Sequence, residues 1–131
     1  MTPLNCIALI DDNPADNYLH ERAIRKAGAA HQVEVYEEAE VALECLRNGT
    51  SQPDLILLDL NMPGMDGWEF LEAFHLLPEE RRQAAVMVML TTSVNPEDEA
   101  RARANGILRG FCPKPLTEEG CLELIREMFQ R

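Results

Sequence analysis

Basic side chains are scarce in this chain: 12 Lys and Arg stand against 23 Asp and Glu in 131 residues, a formal charge of -11 at pH 7. A surface this acidic repels a phosphate backbone, which argues against direct nucleic-acid binding. Long apolar runs are missing too. None approaches the ~20 residues of a membrane-spanning helix. Residues 1–6 show no basic stretch followed by an apolar one, so no signal peptide is visible. Cysteines at 6, 45, 112 and 121 form no C-x-x-C pair and have no nearby histidine at zinc spacing. Free thiols in a reducing, cytoplasmic setting are expected, not disulfides. A glycine-rich phosphate loop is absent, as are linkers, repeats and low-complexity segments.

What is present is the make-up of a globular chain, 46% hydrophobic and 27% charged. Its length suits one domain burying roughly two-thirds of the surface exposed on unfolding. Residues 6–10, 55–58 and 86–90 are short, continuous apolar runs, each followed by polar or turn residues. Strands apolar on both faces belong to parallel sheets covered by helices on each side. Residues 33–36 alternate, as suits an edge strand. Residues 107–112 make a fifth strand, interrupted by Arg109 and Gly110.

Helical periods lie between these runs. Leu19, Ala23 and Ala27 recur every fourth residue, with Gly28 as the stop. Ala39, Ala42, Leu43 and Leu46 form a second stripe, ending at Asn48-Gly49. Phe70, Leu71, Phe74 and Leu77 form a third, ended by Pro78. Asn95-Pro96-Glu97-Asp98 opens a fourth helix over 96–105 with a cap, a proline and acids that suit the helix dipole. The last helix follows Thr117 and buries Cys121, Leu124, Ile125 and Met128. Strand and helix thus alternate five times. That order predicts an α/β fold: a doubly wound five-stranded parallel sheet with helices on both faces, one domain over 1–131.

In such sheets ligands bind beyond the carboxyl ends of the strands. Those ends carry Asp11-Asp12, Asp59, Thr91-Thr92-Ser93 and Lys114-Pro115. Asp and Asn after a strand commonly cap the next helix, and Asn13 is the expected cap here. Asp59 is harder to explain that way. Three carboxylates sharing one crevice repel one another and lose hydration, unless a divalent cation lies among them and an ammonium opposite. Oxygen ligands of this kind favour Mg²⁺. Lys114 is the available ammonium, one of two lysines in the chain. An ionised Asp59 is also a plausible nucleophile towards an activated phosphoryl group, whose oxygens Mg²⁺, Lys114 and the Thr91 hydroxyl would neutralise.

Over essentially its full length the chain resembles a response-regulator receiver domain. The matching blocks are 10–14 (Ile-Asp-Asp-Asn-Pro), 53–67 (from Pro53-Asp54 through Asp59 to Asp66-Gly67), 90–93 and 114–116. Asp66-Gly67-Trp68-Glu69-Phe70 and Leu77-Pro78 are similar to stand-alone receivers that work beside hybrid histidine kinases. The resemblance implies a flavodoxin-like (βα)5 fold with no output domain. It implies a phosphorylation switch of a two-component system or phosphorelay, with Asp59 taking a phosphoryl group from a phosphohistidine. The implied Mg²⁺ ligands are Asp12 directly, Asp11 through water, Asp59, and the backbone carbonyl of Asn61. Thr91 and Lys114 are implied as phosphoryl contacts, with the Thr92 amide beside them, and the Lys114-Pro115 bond as cis. Phe111 stands where receivers often carry tyrosine, so coupling between Thr91 and residue 111 would rest on packing alone.

The implied donor is a sensor or hybrid histidine kinase or a phosphotransfer protein. The signal would leave by protein contact to a downstream target, with the chain monomeric or weakly dimeric and bound to neither membrane nor nucleic acid. The surface at the fourth helix, where Arg101 and Arg103 lie, is the expected exit. The chain would be no enzyme beyond catalysing its own phosphorylation and dephosphorylation. Two other readings stand beside this one. A small phosphatase with an Asp nucleophile would want a second Asp at 61, where Asn61 stands. A scaffold that is never phosphorylated would have no use for the full set of Asp11, Asp12, Asp59, Thr91 and Lys114.

Overall fold

The computed structural model describes residues 3–82, 85–92 and 95–129. Five parallel strands form one sheet in the order β2-β1-β3-β4-β5: β1 (Leu4–Ile10), β2 (Ala30–Tyr36), β3 (Leu55–Leu58), β4 (Val86–Thr91) and β5 (Leu108–Pro113). Every residue of β3 is buried, as its unbroken Leu-Ile-Leu-Leu run requires of a central parallel strand. β2 at one edge is mostly exposed or half-buried. At the other edge β5 shifts register against β4 at Met87/Val88. The break falls where Arg109 and Gly110 interrupt the apolar pattern.

Helices cover both faces. α1 (Pro14–Ala27) and α6 (Glu118–Phe129) pack on one, closing a core of Ile7, Leu9, Ile24, Leu57, Leu90 and Ile125. α2 (Ala39–Asn48), α3 (Gly67–His75) and α5 (Pro96–Ala104) pack on the other over Ile10, Ile56, Leu58, Leu43, Phe70 and Met89. The expected stripes of α2 and α3 are the buried ones, including Leu77 just beyond the end of α3. In α6, Cys121, Leu124 and Ile125 are buried and Met128 is half-buried.

Two features depart from the pattern read in the sequence. The first is a sixth helix, the single turn α4 (Glu79–Arg82), which buries none of its residues. Made of Glu-Glu-Arg-Arg, it has no apolar period by which to be seen. The second concerns α1. Leu19, expected inside, is 53% exposed, while Asn17 and His20 are buried at 4% and 1%. The helix is rolled so that the line Asn17-His20-Ile24 faces the sheet. The Asn17 amide Nδ2 donates to the carbonyl oxygen of Asp11 at 2.8 Å, which fixes the roll. Asn13 caps the helix, its Oδ1 accepting from the amides of Ala15 and Asp16. Gly28 ends it in the left-handed conformation at φ 62°.

All four cysteines are free, with Cys6 and Cys121 buried. Among the described residues no helix is long and apolar enough to cross a membrane.

Candidate functional site

The strand order reverses between β1 and β3, opening a crevice at their carboxyl ends. Parallel pairing sets Ile10 of β1 beside Leu58 of β3, and the ladder continues as the Asp59 amide donates to the Ile10 carbonyl at 2.9 Å. Register alone therefore brings residue 59 beside residues 11 and 12. Carboxylate oxygens of Asp11, Asp12 and Asp59 all lie within 4.8 Å of one another. Asp11 and Asp59 are buried and Asp12 half-buried.

Lys114 enters from the loop after β5. Its amide donates to the Thr91 carbonyl at 2.8 Å, and a cis bond joins it to Pro115. Only 8% of its side chain is exposed. The ammonium lies 2.6 Å from Asp11 Oδ2, 2.9 Å from Asp16 Oδ2 and 3.1 Å from Asp59 Oδ1. Sequence reasoning missed Asp16, whose place in the first turn of α1 reads as an acid suited to the helix dipole. The available signal was its spacing: one helical turn beyond Asp12, it returns to the rim.

Charge and burial oppose each other here. Burial pushes the Asp59 carboxyl above its usual range, and repulsion from Asp11 and Asp12 adds to this against the pull of Lys114. For Lys114 burial favours the neutral amine, yet hydrogen bonds to Asp11 and Asp16 outweigh it and the ammonium is held more tightly than usual. Three hard oxygen donors at this spacing, two of them buried, fit a small divalent cation such as Mg²⁺.

The other residues singled out in the sequence flank this cluster. Thr91 ends β4 and is fully buried, and Thr92 after it is exposed. Asn61 is exposed two residues past Asp59 on the loop to α3. Ser93 lies outside the described residues. Phe111 in β5 is half-buried and packs against the α2–α3–α5 side of the core.

Helix α3 closes tightly over the acceptor loop. The Gly67 amide donates to the Leu60 carbonyl at 2.9 Å, and a Cβ at residue 67 would lie 2.7 Å from the Asp59 carbonyl oxygen. Only glycine permits that approach. A capping box between Asp66 and Glu69 fixes where the helix begins. Next in the chain, Trp68 carries the Arg101 guanidinium over its ring at 4.3 Å from the centroid. Arg103 pairs with Glu99 on the same helix as itself. Of the two arginines expected at a partner surface, one is thus engaged in packing α5 against α3.

Known proteins match this arrangement. The "Probable methanogenesis regulatory protein FilR2" of Methanothrix harundinacea is 34% identical over 126 residues, covering 93% of this chain and 79% of that protein. A response regulator receiver protein from Dyadobacter fermentans has a crystal structure that superposes with a TM-score of 0.86 at 32% identity, over 96% of this chain and 98% of that one. A two-component response regulator from Cytophaga hutchinsonii superposes with a TM-score of 0.88 at 26% identity, over 99% of this chain and 100% of that one. The family model for the response regulator receiver domain matches residues 7–126. With that match spanning every strand-end residue of the acidic crevice, the chain belongs to the response regulator receiver domain family.

Proposed function

We propose that this chain is a phosphorylation switch that accepts a phosphoryl group on Asp59 from a phosphohistidine, donated by a sensor or hybrid histidine kinase or a phosphotransfer protein. Receiver domains act in phosphorylation-based signalling, and an acidic pocket that generally binds Mg²⁺ is common to them. One observation carries the assignment to Asp59. Of the buried carboxylates, it directly follows the central strand β3 and has an ammonium 3.1 Å from its oxygen, with two further carboxylates beside it.

On this reading an Asp59 carboxylate oxygen attacks phosphorus as the P–N bond of phosphohistidine breaks. The freed imidazole carries off the bonding electrons and takes up a proton. Lys114 and the Thr91 hydroxyl contact the phosphoryl oxygens, with the Thr92 amide beside them. Asp12, Asp11, Asp59 and the Asn61 carbonyl would hold Mg²⁺, which when bound neutralises charge on the transferred group. Water attacking phosphorus breaks its bond to the Asp59 oxygen, releasing inorganic phosphate and returning the carboxylate, which makes the chain a timer and not a metabolic enzyme. Thr91 and Phe111 pass the change towards α5, β5 and α6 by packing. A downstream protein would read that surface, with the chain a cytoplasmic monomer or weak dimer.

The test is intact-protein mass spectrometry after incubation with acetyl phosphate and Mg²⁺. Wild type is expected to gain the mass of one phosphoryl group and Asp59→Asn none. Folded wild type without that gain would favour the unphosphorylated scaffold.

A further inference from the structure

An ammonium has three N–H donors, and the structure gives Lys114 three carboxylates. Two of them, Asp11 and Asp59, belong to the trio that fits a cation, and Asp59 also takes the phosphoryl group under the proposed function. The third, Asp16, stands outside the trio. It is no loose surface acid. Its backbone amide is bonded by the Asn13 cap at 3.1 Å, and the next residue is tied to the Asp11 carbonyl. One turn on, the buried His20 keeps the helix rolled inward.

We propose that Asp16 is a positioning residue for phosphoryl transfer, anchoring the Lys114 ammonium over Asp59; the inference rests on the reading of Asp59 as acceptor. A cation among the trio would draw on the charge of Asp11 and Asp59, and it would repel the ammonium beside them. Asp16 alone keeps its full charge for the lysine. A lysine is a point charge on a flexible four-carbon stem, so its direction has to come from its partners. With one N–H committed to Asp16, the others remain aimed at the site where phosphoryl oxygens arrive.

The chain has two lysines, and Lys26 is exposed on α1, so the Lys114 ammonium can be followed by ¹⁵N NMR on its own. In metal-free protein a slowly exchanging Lys114 signal is expected for wild type. It should be lost in Asp16→Ala and partly kept in Asp16→Asn, which retains an acceptor oxygen. With phosphoramidate and saturating Mg²⁺, the phosphorylation rate should fall about tenfold in Asp16→Ala and less in Asp16→Asn. In a Lys114→Ala background either substitution at 16 should change the rate no further. The same fold loss in both backgrounds would overturn the inference, as would a wild-type rate in Asp16→Ala with an unchanged ammonium signal. Should the alanine variant not fold, Asp16→Asn carries the same cycle with a loss of about threefold. Wild type that takes up no phosphoryl group would remove the proposed function, and the metal-free ammonium signal would still decide the anchoring.

Discussion

Helices α1 and α5 begin alike and are held very differently. Each opens on an Asn cap followed by proline, Asn13-Pro14 in one and Asn95-Pro96 in the other. Beyond that start α1 sinks Asn17, His20, Ala23 and Ile24 into the molecule, whereas α5 buries Ala102 alone. α1 also reaches into the site through Asp16. α5 is clasped from outside, by Arg101 over Trp68. Start signals decide where a helix begins, and its inward face decides how firmly it is held. The proposed switch draws on both kinds: a fixed wall behind Asp59, and an element held by little burial.

The largest expected effect strikes the fixed wall. Ile24→Ala should cost about 3 kcal/mol in urea unfolding, since that side chain is fully buried. Ala102→Gly in α5 should cost about 1 kcal/mol. Equal losses would break the contrast.

A smaller effect follows pH. Burial lowers the His20 pKa below its ordinary 6.5, and the Lys114 charge lowers it further, so the folded state favours neutral imidazole. Its Nδ1 is buried without a hydrogen-bond partner among the described residues, and the carboxylates of Asp16 and Asp11 pull the other way. Stability from this group is therefore fully present above the ordinary value and lost as pH falls through it towards the lowered one. Melting curves of wild type and His20→Leu should diverge below that ordinary value, wild type losing more. Parallel curves would show that the imidazole titrates alike in both states.

The smallest change in stability belongs to Arg101→Ala, under about 1 kcal/mol, because a half-exposed cation–π contact contributes little. Its sharper readout is hydrogen exchange. Amides of α5 should exchange several times faster while those of α1 stay as they were. Acceleration in both helices would mean that α5 is no separate unit.

The central frame was legible in the sequence because three apolar runs, each closed by polar residues, leave few foldings other than a parallel sheet. Once 55–58 lies beside 6–10, the acid trio assembles by register, as read. The inward roll of α1 was not legible. Leu19 looks like a core residue and Asn17 and His20 like surface ones; the bond from the Asn17 amide to the Asp11 carbonyl and the burial of His20 under the helix reverse that. Asp16 was hidden because its partner lies 98 positions away. α4 escaped because a lone turn of four charged residues leaves no apolar period to detect.

The free thiols have a chemical consequence. Burial pushes Cys6 up to about 12 and Cys121 up to about 11, and raises Cys112 as well. Thiolate is the form that attacks peroxides and disulfides, so at neutral pH these sulfurs are poor targets. Oxidants therefore meet little thiolate at these three positions.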